Sequence, residues 1–272
     1  MRKPVVAGTF YPAGPEELRR TIEDLFTHPL GPGSLPKGPS GARRVLGGVV
    51  PHAGYIYSGP VAAHTYKAIA EDRIPETFVV IGPNHTGLGA RISVCPMGYD
   101  SPLGPAELDE ELARAIVGDS AVFDLDAHIY EHSIEVQIPF IKYLFPRARV
   151  VPIVMMDQSL NASRILGRRI REAVAEVGRD AVILASSDFS HYVPREAAYS
   201  WDGRAIKALE GGDIEEFYKL TSSGRVSACG YGPIIAAYCA TGGRARLLKY
   251  ATSGEVEPMP RVVGYASIVF ER

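Results

Sequence analysis

Three short segments of the chain each carry a histidine, two of them among glycines and prolines that suit tight turns. They are Pro51-His52-Ala53-Gly54-Tyr55, Gly82-Pro83-Asn84-His85-Thr86-Gly87 and Ser186-Ser187-Asp188-Phe189-Ser190-His191. A fourth segment, Ser227-Ala228-Cys229-Gly230-Tyr231-Gly232-Pro233, carries a cysteine just ahead of an apolar, helix-like stretch. Two imidazoles and one anionic group make a three-point cradle for a transition metal with open positions. A carboxylate as third donor gives the donor set of non-haem iron oxygenases, and a thiolate gives a softer site for iron, copper or zinc. The position of Cys229 before a helix N-terminus, with Pro233 in the first turn, is expected to favour its thiolate. His191 is then left as an acid–base group, and Asp188 either ligates or orients. A lone histidine or cysteine of this kind is more often a hydrogen-bonded loop residue or a small buried hydrophobe. Cys95, Cys239, His28 and His64 are read that way.

The elements that would bring these residues together are short Val- and Ile-rich runs at 45–50, 78–81, 150–155 and 181–185. Continuous apolar runs of this length suit parallel strands buried on both faces. Amphipathic helical patterns separate them. Leu108, Leu112, Ala115 and Ile116 share one face, as do Leu166, Ile170, Ala173, Val174 and Val177, and as do Ala197, Trp201, Ala205, Ala208 and Leu209. The alternation predicts a three-layer α/β/α sandwich with a mostly parallel central sheet. His52, His85 and Asp188–His191 each follow a predicted strand, which puts them at the carboxyl edge of that sheet, where open α/β folds bind ligands. Stretches 244–252 and 262–270, parted by a turn region with Gly254 and Pro258, predict a C-terminal β-hairpin at a sheet edge. The Pro/Gly-dense residues 29–41 read either as a lid over the site or as a plain excursion. With no clear linker, residues 1–272 are expected to form one domain.

Charge is nearly balanced, at 29 basic against 31 acidic residues, and no long like-charge run occurs. That argues against nucleic acid or an anionic membrane as a partner. No apolar run approaches a membrane span. Three widely spaced cysteines form no disulfide framework, and the first residues lack the apolar core of a signal peptide, so a cytoplasmic protein is expected.

These segments, with Ala7-Gly8-Thr9-Phe10-Tyr11-Pro12 and Glu131-His132-Ser133-Ile134-Glu135-Val136-Gln137, resemble the Memo family, also called AmmeMemoRadiSam system protein B. The resemblance runs over nearly the whole chain. It implies a single α/β/α domain related to class III extradiol dioxygenases, with His52 and His85 as metal ligands and His191 where a catalytic histidine acts. Extradiol enzymes use a glutamate as third ligand, and the Memo pattern places Cys229 there. That departure sets ring cleavage apart from what the shared fold carries. The family name also implies an AMMECR-type protein and a radical S-adenosylmethionine enzyme as partners. Glu131 and His132 are expected either to join the site, as support or as substrate contacts, or to be an exposed helix start. The reading that follows is a metal-dependent redox enzyme, dioxygenase-like, acting with dioxygen on a small aromatic substrate. A binding or scaffold protein keeping the pocket for a metal or peptide, and a zinc-assisted hydrolase, are the alternatives.

Overall fold

A computed structural model describes all 272 residues. In chain order the first half comprises α1 (Pro15–Thr27), β1 (Val45–Val50), α2 (Tyr55–Asp72), β2 (Thr77–Pro83), β3 (Ile92–Val94), α3 (Glu110–Ile116), β4 (Val122–Phe123) and α4 (Asp126–Ile129). A 3-10 turn (Glu135–Gln137) leads into α5 (Ile138–Leu144), β5 (Arg149–Met155), α6 (Leu160–Val177), β6 (Ala181–Ser186), β7 (His191–Val193) and α7 (Arg195–Glu210). The chain ends with α8 (Ile214–Ser222), α9 (Tyr231–Thr241), β8 (Arg244–Thr252), a 3-10 turn (Ser253–Glu255) and β9 (Val262–Glu271).

The strands form one sheet in the order β4-β3-β5-β2-β6-β1-β9-β7, with β8 also paired to β9. Its centre, β5-β2-β6-β1, is parallel throughout. All four predicted central strands are there. Alternate residues of each feed opposite layers. Val79, Ile81, Val151, Ile153 and Ile183 join a core with α3, α6 and α9, whereas Phe78, Val80, Val150, Val182 and Leu184 join a second core with α1, α2 and α5. Two cores on the two faces of one sheet are what a three-layer sandwich requires.

The C-terminal hairpin forms at the edge of the sheet, as expected. β9 pairs antiparallel with β1 along one edge and with β8 along the other, and its first residues pair with β7. The reason lies in composition: nearly every residue of β9 is buried, so both its faces and both its edges have to be covered. β3, β4 and β7 were not predicted; at two or three residues each they are too short to show a period. Residues 29–41 are no lid. Ser34 accepts from Lys67, the Lys37 amide donates to Glu71, and the Ser40 and Gly41 amides donate to the carbonyls of Glu71 and Asp72. The segment thus runs along α2 toward its C-terminal end, away from the carboxyl edge of the sheet.

Candidate metal centre

β1, β2 and β6 run parallel, so the residues that follow them leave the sheet at one edge. His52 follows β1, His85 follows β2, and Asp188 follows β6. Cys229 arrives from the other direction, on the turn before α9. That turn presses against the end of β6: a Cβ on Gly230 would lie 2.6 Å from the Ser186 carbonyl oxygen and 2.8 Å from Ser187 Cβ. Only glycine allows the cysteine so close. Gln158 clamps the same turn, donating to the Cys229 carbonyl at 2.9 Å and accepting from the Gly232 amide at 2.9 Å.

One donor atom each from His52, His85 and Cys229 lies within 4.8 Å of the others. Cys229 Sγ is 3.2 Å from His52 Nε2. Zinc–nitrogen and zinc–sulfur bonds of about 2.0 and 2.3 Å at a tetrahedral angle would set nitrogen and sulfur about 3.5 Å apart. The cradle therefore already has nearly the spacing of a first-row metal's ligands.

Hydrogen-bond bookkeeping fixes which nitrogens face it. Ser186 Oγ has one proton and gives it to the Ser133 carbonyl at 2.6 Å. Its lone pairs accept from Gln137 Nε2 at 3.0 Å and from His52 Nδ1 at 3.0 Å. His52 Nδ1 must then carry the proton, which leaves Nε2 as a lone pair toward Cys229. His85 Nδ1 donates to Glu131 Oε1 at 2.8 Å and the His85 amide donates to Glu131 Oε2 at 2.7 Å, so its Nε2 is likewise the free donor atom. His191 Nδ1 donates to the Ser227 carbonyl at 2.8 Å, leaving Nε2 as the ring nitrogen without a protein partner. Outer hydrogen bonds of this kind orient metal-ligating histidines and raise their basicity.

The electrostatics grade from a buried His52 through a partly covered Cys229 to an exposed His85. Burial holds His52 well below the ordinary histidine range, and the neighbouring His132, His85 and His191 add to this, so it is neutral and able to ligate. Burial pushes Glu131 up, but hydrogen bonds from His85 and Ser133 outweigh it and hold the carboxyl at about 2. Burial raises Asp188 to about 6, against the opposing pull of the His52 amide and of His191; its Oδ1 accepts from that amide at 2.8 Å. Cys229 departs from expectation. Burial, then the nearby Asp188 charge, pushes its thiol well above the ordinary range. Cys229 is only partly covered, yet the protein around its sulfur outweighs the helix terminus, and without a metal the S–H donates to His52 Nε2. Cys95 is buried and burial raises its thiol to about 11, as suits an inert residue, whereas Cys239 is only partly covered.

Glu131 and His132 are not an exposed helix start. Glu131 is fully buried, and the His132 ring stacks on His85 with centroids 4.7 Å apart and meets Phe10 at 5.0 Å. Beyond these residues opens a cavity of about 430 Å³. Its polar floor is His52, His85, His132, Asp188 and His191, and its walls include Phe10, Tyr57, Tyr192, Met259 and Tyr265. Tyr192 holds a left-handed backbone, φ 57°, beside His191. Reasoning on the sequence missed Ser186, Gln137, Glu135 and Arg2. Ser186 and Gln137 lie inside quoted motifs, so a search for hydrogen-bonding residues next to the ligands would have found the first two. Arg2 carries no local signal.

The description "Memo-like protein" matches residues 2–269. A MEMO1 family protein of Methanopyrus kandleri is 46% identical over 100% of this chain and 99% of its own. One from Methanothermobacter thermautotrophicus is 45% identical over 98% of this chain and 99% of its own, and one from Ignicoccus hospitalis is 46% identical over 99% and 98%. A solved structure of an uncharacterised Escherichia coli K12 protein superposes with a TM-score of 0.49 at 14% identity, covering 73% of this chain and 87% of that one.

Proposed function

The chain belongs to the Memo-like protein family, and from that premise we propose that it is a metal-dependent redox enzyme. His52 Nε2, His85 Nε2 and Cys229 Sγ hold one transition-metal ion, with iron as the working metal. The observation that supports this is the convergence of three donor atoms within 4.8 Å, two of them histidine nitrogens whose partner nitrogens are already engaged. A bound iron supplies redox chemistry with dioxygen as the oxidant. The chain's own residues do the rest. His191, its Nε2 free, takes the proton of a phenolic hydroxyl entering the cavity. Asp188, raised to about 6, holds the strand ends in register through the His52 amide and receives or returns a proton. Phe10, Tyr57 and Tyr265 give a small ring apolar walls above the histidines.

The test is anaerobic purification with elemental analysis, followed by oxygen-electrode assays on small phenols. One equivalent of iron with phenol-dependent oxygen uptake is the expected result. Metal binding with no turnover would leave a binding protein. Hydrolysis supported by zinc alone would replace the redox reading.

A further inference from the structure

The loop that supports His85 has little regular structure of its own. Between α4 and the 3-10 turn, residues 130–134 lie in no helix or strand, yet Glu131 has to meet His85 within hydrogen-bond distance. What holds the loop is the start of the chain. Arg2 is 4% exposed, and all three acceptors of its guanidinium belong to residues 128–135. Nε donates to the His128 carbonyl at 2.9 Å, Nη2 to the Glu131 carbonyl at 2.6 Å, and Nη1 pairs with the fully buried Glu135 carboxylate. Its backbone is tied down as well: the Arg2 amide donates to the Gly98 carbonyl, and the Asp100 amide donates to the Arg2 carbonyl. The guanidinium carbon lies 4.8 Å from the centre of the Tyr99 ring, whose hydroxyl bonds His128 Nδ1 at 2.8 Å. Glu135 also accepts from the Val5 and Val6 amides and from the Tyr11 hydroxyl. Residues 2–11 thus form a strap over the loop. The same strap delivers Phe10 to the cavity wall against His132.

We propose that Arg2 is a positioning residue for the metal centre, acting through residues 128–135 on the hydrogen bond from His85 to Glu131. The inference rests on the reading of His85 as a ligand. A buried cation is costly unless its geometry is fully used. Here the planar fork is used in three directions at once, which an ammonium or an apolar side chain cannot match. Arg2 does not touch the Glu131 carboxylate; it grips that residue's backbone. Any influence on the metal must therefore pass through where the carboxylate is held.

The test is a double-mutant cycle read as Co(II) affinity in the full chain, with Arg2→Met, Glu131→Gln and the pair. Each single change is expected to weaken Co(II) binding by about 10–100-fold, the usual effect of losing an outer hydrogen-bond partner. The double variant should be no worse than the weaker single, because both act on one bond. Ser186→Ala supports His52 instead, so its effect should multiply with that of Arg2→Met. Arg2→Lys, expected to fall between, repeats the cycle if the methionine variant does not fold. Arg2 variants within twofold of wild type, or effects that multiply with Glu131→Gln, would overturn the proposal. Full Co(II) affinity in His85→Ala would instead overturn the reading on which it rests.

Discussion

His52 and Cys229 face each other at 3.2 Å in a place where burial disfavours both the imidazolium and the thiolate. A neutral thiol–imidazole pair is a poor nucleophile, since the thiolate is the reactive form. A metal changes this, because coordination deprotonates a thiol outright. Proton release is therefore a signature: Zn(II) or Co(II) added to the metal-free protein near pH 7 is expected to release about one proton per ion, seen as a buffer-dependent heat in calorimetry. Cys229→Ser should abolish that release and weaken soft metals most, since an alcohol is a harder and far less acidic donor. If Asp188 is the third ligand instead, Asp188→Asn will lose the metal and Cys229→Ser will keep it. On the proposed reading the His191 side chain acts as a base. His191→Ala is expected to lower turnover by about 10²–10⁴-fold and leave metal stoichiometry unchanged, because a base need not be a ligand. Loss of metal to the same degree as in His52→Ala would reassign it. The histidines and the cysteine were legible in the sequence because each follows a strand or precedes a helix. The state of the thiol was not, because the depth of a site depends on every element packed around it.

At the scale of elements, the turns rather than the strands decide whether the site closes. Gly230 carries the Cys229 turn against β6, and Gly230→Ala would drive a methyl group to within 2.6 Å of a backbone oxygen. The turn has to shift, at a cost of about 1–3 kcal/mol, and Cys229 moves with it. Metal affinity in Gly230→Ala should therefore fall further than thermal stability alone explains. A second turn, Ser253–Glu255, reaches the cavity through Ser253 and is fixed by a capping box in which Thr252 and Glu255 satisfy each other's backbone. Glu255 also binds Arg195 and Tyr199. Burial pushes the Glu255 carboxyl up, but Thr252, Tyr199 and Arg195 outweigh it and hold the group at about 2 against an ordinary value of 4.5. A lowered folded-state value stabilises the protein above 4.5 and stops doing so as pH falls toward 2. With solvent screening allowed for, the contribution is about 1–2 kcal/mol. In urea titrations from pH 6 down to 2, Glu255→Gln should be less stable than wild type at pH 6, with the gap closing across that window. A constant gap would show that the capping geometry, not the charge, sets the effect. The turn around Gly254 was legible in the sequence, but its cap was not. Thr252 lay at the end of a predicted strand, and a cap made of one threonine and one glutamate is indistinguishable from ordinary turn composition.

Across the whole molecule, the central parallel sheet was legible because its strands are continuous apolar runs; of its helices, α6 shows an apolar stripe of helical period, whereas α9 is apolar nearly all round. The edges were not. β3, β4 and β7 have two or three residues each, and the choice of β1 as the neighbour of β9 follows from long-range burial that local pattern does not carry. The same limit hid Arg2, whose partner Glu135 is 133 residues away. This separation has a thermodynamic consequence. The three donors of the cradle come from the ends of β1 and β2 and from the turn before α9, and Asp188 at the end of β6 bonds the His52 amide. A metal there ties together segments far apart in the chain, and no unfolded state presents the same triad. Binding free energy should then appear almost wholly as folding stability. At a free Zn(II) concentration of about 100 times the dissociation constant the gain is about 2.7 kcal/mol. For a chain of this size that is a rise in melting temperature of about 5–8 °C. Calorimetric scans with and without Zn(II) check it. The increment should shrink to near zero in His52→Ala, His85→Ala and Cys229→Ser, and should survive in variants of the capping turn such as Glu255→Gln. An equal rise in all of them would mean that zinc binds elsewhere on the surface, and the convergence at the sheet edge would not be the metal centre.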